Sequence, residues 1–183
     1  MPSTHPLEEF FPPENVAGGA SEPIISQAEA TLGVRFPPSY RSFLARFGAG
    51  FICGGFEVAG LFHHPDKAEW LSSMSSKTRQ LTEAEWQYSA NSNPTPPFSR
   101  PSPPLWTHVV TWNLRKRRIN RGHIESRYVA ISHDGSEATF LLDAGAPAPE
   151  SPVVVLGPGW DFALVAPDFN AFVIRCSNRT LPY

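Results

Sequence analysis

The chain has 183 residues, enough for one domain with a sizeable core, and its hydrophobic (41%) and aromatic (12%) content excludes global disorder. Its formal net charge of −2 hides an asymmetry. Arg115, Lys116, Arg117, Arg118 and Arg121 are five of fifteen basic residues; without them ten basic residues face seventeen acidic ones, a balance of −7 and so a moderately acidic body with one basic strip. No window approaches the roughly 18 apolar residues of a membrane helix. The start, MPSTHPLEEFFPPENV, lacks the basic end and apolar run of a secretory signal. A cytoplasmic protein is expected, with Cys53 and Cys176 as reduced thiols rather than a disulfide.

Residues 1–20, rich in Pro, Gly and acid, read as an N-terminal extension outside the core, with Phe10-Phe11 available as an anchor. Ser21 is placed to cap a helix whose first turn holds Glu22 and Pro23 and whose apolar face is Ile24, Ile25, Ala28 and Leu32. Gly33 is placed to end it in a left-handed turn. Val34 to Phe36 run extended into Pro37-Pro38, because a residue before proline is pushed out of the α region. Pro38 opens a second helix with Tyr40, Phe43, Leu44 and Phe47 on one face, closed by Gly48 and Gly50.

Phe56 to Leu61 reads as the first strand, and Asp66 can cap a helix carrying Trp70, Leu71 and Met74. Thr82 to Glu85 has capping-box spacing. Asn91 to Pro104 holds six prolines in fourteen residues and reads as a loop or semi-rigid spacer. Val109 to Leu114 reads as a strand leading into the basic run. Tyr128 to Ile131 and Thr139 to Asp143 form a hairpin around Asp134-Gly135, and Val153 to Leu156 pairs with Phe162 to Val165 around Gly157-Pro158-Gly159. Pro167 opens a last helix with Phe169, Phe172 and Val173 inward. The sum is an α+β single domain: a mainly antiparallel central sheet with two N-terminal helices and a C-terminal helix packed against it.

The catalytic inventory is thin. His63 and His64 are adjacent and have no enforced common geometry, and two lone cysteines cannot build a zinc site. The glycine-rich stretches are not followed by the Lys-Ser/Thr pair of a phosphate loop. Asp134 and Asp143 sit where turn and strand-end chemistry explains them. No catalytic residue, metal or cofactor is expected. The basic run Arg115 to Arg121 is open to three readings: a solvated connection, a partner contact, or nucleic acid, against which the acidic body and the lack of a nucleic-acid-binding motif both weigh. Trp160, after a Gly-Pro-Gly turn and beside Asp161, suits either the core or an interface.

Three blocks resemble the SUKH superfamily. The first is Glu29, Leu32-Gly33, Phe36-Pro37-Pro38, Tyr40, Phe43-Leu44 and Gly48-Ala49-Gly50; the second is YVAISHDGSEATFLLD, Tyr128 to Asp143; the third is PVVVLGPGWDFALVAPDFNAFV, Pro152 to Val173. The resemblance implies a SUKH-like domain over 21–175, a tail at 176–183, and an enlarged proline-rich and basic connection at about 89–123. Ser136 and Glu137 depart from the glycine and aspartate the family often has after its hairpin turn. Most such domains are binding modules rather than enzymes. The resemblance therefore implies a bacterial immunity protein that occludes a cognate toxin, a nuclease or nucleic-acid deaminase encoded nearby. The alternative is a regulatory interaction module of the fungal cell-wall kind. On the first reading the contacts are expected on strand-end loops: Asp66, Glu69 and Trp70, then Asp134 and Glu137, then Trp160 and Asp161.

Overall fold

Glycine and proline set the first two helices where the sequence predicts them. In the computed structural model, which describes residues 5–52, 56–63, 105–107, 109, 112–113, 116, 124–133, 138–146, 149–157 and 161–182, α1 spans Glu22–Leu32 and α2 spans Pro38–Phe47. Ser21 holds the N-cap position, but its hydroxyl makes no capping bond; its carbonyl accepts from the Ile24 and Ile25 amides instead. Gly33 is left-handed, at φ 68° and ψ 33°, and its amide and that of Val34 reach back to the Ala30 and Glu29 carbonyls. A side chain there would be strained, which is why the helix ends on glycine. The acidic residue of the family mark has a structural task. Glu29 accepts from the Phe36 amide at 2.7 Å and pairs with Arg41, which also pairs with Glu22, so the link and the start of α2 are tied to α1.

The described strands are β1 (Gly50–Ile52), β2 (Phe56–Val58), β3 (Leu61–His63), β4 (Leu105–Thr107), β5 (Tyr128–His133), β6 (Thr139–Asp143), β7 (Val153–Leu156) and β8 (Phe162–Ala166). Six form one antiparallel sheet in the order β1-β2-β5-β6-β7-β8; β3 and β4 form a separate two-stranded sheet. The last helix, α3, spans Phe169–Ser177. Its N-cap is Asp168, whose carboxylate accepts from the Ala171 amide at 2.8 Å, so Pro167 stands just outside it. The chain divides into two units, residues 1–62 with 107–183, and residues 63–106; the description below is of the first.

One face of the sheet carries the main core. Val129, Ile131, Phe140, Leu142, Val153, Val155 and Val165 meet the apolar faces of α1, α2 and α3. Tyr40, Phe43, Phe169 and Phe172 stack through it, and Phe140 reaches Phe172 at 5.1 Å between ring centres. Tyr40 is fully buried, yet its hydroxyl donates to the Ala59 carbonyl at 2.6 Å, so burying it leaves no unpaired polar atom. On the other face Ile124, Tyr128, Ala130, Leu141 and Leu156 form a second cluster, with Trp112 and Val154 packed against it.

Three differences from the sequence reading matter. Residues 5–20 do not lie outside the core: Leu7 and Phe11 are buried in it, and Val16 forms an isolated antiparallel bridge with Gly50 on β1. Val109, Trp112, Asn113 and Lys116 are helical rather than extended. Asn113 explains why, since its amide donates to the carbonyls of Val109, four residues back, and of Ala130, while its oxygen accepts from the Ala130 amide at 2.6 Å. The expected first strand is broken, with β2 ending at Val58 and β3 starting at Leu61. Between them Gly60 passes so close to the Gly48 carbonyl that a Cβ could not fit. The helix expected after Asp66, the Thr82–Glu85 turn and the spacer 91–104 lie outside the described residues.

Candidate functional site

Titratable groups in the core are occupied structurally. Burial pushes the Cys176 thiol up to about 12 and the Tyr40 phenol upward, so neither ionises near neutral pH. Cys53 lies outside the described residues. Among the described residues no group of three or more His, Cys, Asp or Glu is gathered as a metal site. An open cleft of about 570 Å³ lies between the α1–α2 link and the loop after β6. Most charges near it are already paired: Glu22 and Glu29 with Arg41, while the Glu150 carboxylate accepts from the Ser39 amide (3.1 Å) and hydroxyl at the start of α2; Arg35, also on its rim, is exposed. Lys116, from the basic run, is turned onto the sheet and donates to the Thr139 hydroxyl at 2.9 Å.

The sheet register gathers the strand ends. Glu57 pairs with His133, His133 with Thr139, Thr139 with Leu156, and Leu156 with Phe162. The connections from β5 to β6 and from β7 to β8 therefore both leave the sheet beside this one row. Of the seven residues expected on strand-end loops, Asp161 is described: it is exposed, and its carbonyl accepts from the Gly157 amide at 3.2 Å to close the β7–β8 connection. Asp134, Glu137 and Trp160, and likewise Asp66, Glu69 and Trp70, lie outside the described residues.

Beside Asp161 the outer face of the sheet loses its cover. Ala130, Leu141, Val154 and Leu164 lie in register across four strands; the first two are buried, Val154 is half-buried and Leu164 is 64% exposed. Phe162, two residues away on the same face of β8, is 43% exposed and stacks on Tyr128 at 5.1 Å, with the Arg127 guanidinium 4.8 Å from the Tyr128 ring. An exposed apolar strand with an aromatic pair, a cation and an acid at its margin has the chemistry of a protein-binding surface. Sequence reasoning missed Phe162, Leu164, Tyr128 and Arg127. The run Phe162 to Val165 looks like a buried strand, and nothing local says that β8 ends the sheet.

A comparison with protein families bears on the same span of chain. A family model described as SMI1-KNR4 cell-wall (SUKH_6) matches residues 22–173, from the first residue of α1 into α3. No curated protein matches the chain.

Proposed function

The chain belongs to the SMI1-KNR4 (SUKH) family, and from that membership we propose that it is a cytoplasmic immunity protein of bacterial origin, which binds a cognate polymorphic toxin and covers its active site without chemistry of its own. The supporting observation is the single row Glu57–His133–Thr139–Leu156–Phe162, beside which both hairpin connections leave the sheet. Asp134, Glu137, Trp160 and Asp161 belong to those connections and are proposed as contacts, together with Asp66, Glu69 and Trp70. A nuclease or deaminase groove is basic, and an acidic surface with an aromatic anchor suits it: the carboxylates speed encounter and the ring slows departure. A rigid domain burying roughly 800 Å² per partner is large enough for specific recognition.

The test is a titration of the toxin encoded beside this gene. Its activity falls to zero near a simple molar ratio and returns when the complex is denatured and the toxin refolded. Substoichiometric, irreversible loss would refute occlusion and call for an enzyme. A second reading has its own support, because the matched family is described by the cell wall: a regulatory interaction module of the fungal type. A neighbouring gene for a large secreted protein with a variable C-terminal toxin domain favours immunity. A cell-wall defect on deletion, with no such neighbour, favours regulation.

A further inference from the structure

We infer that the free edge of β8 pairs antiparallel with β8 of a second copy of this chain, joining two sheets across a two-fold axis. Among the described residues β8 is the last strand of the sheet, and its partner β7 occupies one side only. Which backbone groups face outward follows from the register. The Gly157 amide bonds the Asp161 carbonyl, so the backbone of Asp161 faces β7; with a period of two, that of Ala163 does as well. The N–H and C=O groups of Phe162 and Leu164 therefore point away from the sheet.

These groups fit themselves. With Ala163 on the two-fold axis, Phe162 stands opposite Leu164 of the second copy, and Leu164 opposite its Phe162. Both are hydrogen-bonded pairs in that register, so four inter-chain backbone bonds form. The exposed side chains of Phe162 and Leu164 share a face, so each copy's aromatic ring lies across from the other's leucine. The ends fit by charge. Asp161 comes opposite the end of β8 in the second copy, where the register slips at Val165 and the Val165 carbonyl anchors the Arg175 guanidinium. An acid at the start of the strand and a cation at its end meet twice, once at each end of the pairing. That self-complementarity is why the occupant is a second copy rather than an unrelated strand.

The inference is independent of the toxin reading, because it is measured on this protein alone. In sedimentation equilibrium the wild-type mass rises from the 20.2 kDa chain toward twice that value with concentration. Leu164→Lys, at a side chain too exposed to hold the fold, weakens association by at least ~10-fold. Asp161→Lys weakens it less, and added salt lessens that difference. Hydrogen exchange gives the strand-specific readout: the Phe162 and Leu164 amides slow as concentration rises, while the Ala163 amide, already directed at β7, does not change. A single 20.2 kDa species at every concentration overturns the inference, as does a dimer that Leu164→Lys leaves intact. Dimerisation without added protection at Phe162 and Leu164 overturns it too, since copies would then meet elsewhere.

Discussion

The two edges of the central sheet are treated in opposite ways. At the β1 edge the chain's own N-terminal segment lies alongside: Val16 bridges Gly50, the Ala17 amide bonds the Ala49 carbonyl at 2.9 Å, and Phe11 packs on Phe43 and Phe47 at 5.0 and 5.2 Å between ring centres. At the β8 edge Phe162 and Leu164 face solvent. An uncovered edge is a template for another strand, and proteins usually blunt it. Among the described residues one edge is blunted by local chain and the other carries no further strand, so the β1 edge serves stability and, on the inference above, the β8 edge serves association.

The comparison breaks most sharply if the N-terminal segment proves dispensable. Phe11 is buried against two other rings, so Phe11→Ala should cost about 3–5 kcal/mol, measured from denaturant midpoints. An unchanged midpoint would mean that the segment merely lies on the surface. A smaller effect is expected from the strand side of the same contact. A Cβ added at Gly50 would come within 2.9 Å of the Phe11 ring and 3.0 Å of the Asn15 carbonyl. Gly50→Ala should therefore lift the segment and cost about 1–3 kcal/mol. If Phe11→Ala erases that cost, the two changes act at one contact.

Much of the fold was legible because local chemistry fixed it. Gly33 with Pro37-Pro38 marks the α1–α2 junction, and the turn residues between β5 and β6 and between β7 and β8 mark both hairpins. What was illegible depended on distant partners. Residues 5–20 have a linker's composition; Phe10-Phe11 offers an anchor, but nothing local shows that Leu7 joins Phe11 in the core. Gly48-Ala49-Gly50 reads as a helix stop, which conceals that Gly50 also begins β1. The Val- and Trp-containing run at 109–114 favours a strand, but the bonds from Asn113 to Val109 and Ala130 favour a helix. The candidate site suffered most, since strand order decides which apolar strand is an edge, and strand order is not written in any one segment.

The N-terminal segment also carries a weaker, pH-dependent element. The His5 Nδ1 accepts from the Leu7 amide at 3.1 Å, its Nε2 lies 2.9 Å from the Ser42 hydroxyl, and the ring meets Phe47 edge-on. Burial lowers its pKa below the ordinary 6.5, with Arg46 adding to this and Glu8 opposing it. The unfolded chain then takes up a proton before the folded one does. Stability is full above pH 6.5 and declines as pH falls through the lowered folded value. The loss is small because solvent screens the ring. His5→Asn, which keeps an acceptor near the Leu7 amide but cannot titrate, should flatten the difference in stability measured below and above pH 6.5. An unchanged slope would assign it to other histidines.

The smallest expected effect defines the other edge. Leu164 packs against little, so Leu164→Thr, which places a β-branched residue suited to a strand there, should shift stability by no more than about 0.5 kcal/mol in dilute solution. The same change should weaken self-association, because the leucine lies opposite Phe162 only when a second copy is present. Folding stability and association thus separate at Leu164 and coincide at Phe11, whose loss unseats the chain's own cover. Measured as a pair, the two variants tell an edge kept for a partner from one that is merely unfinished. If Leu164→Thr destabilised the dilute monomer as Phe11→Ala does, β8 would be held by packing within the chain, and the contrast between the edges would fail.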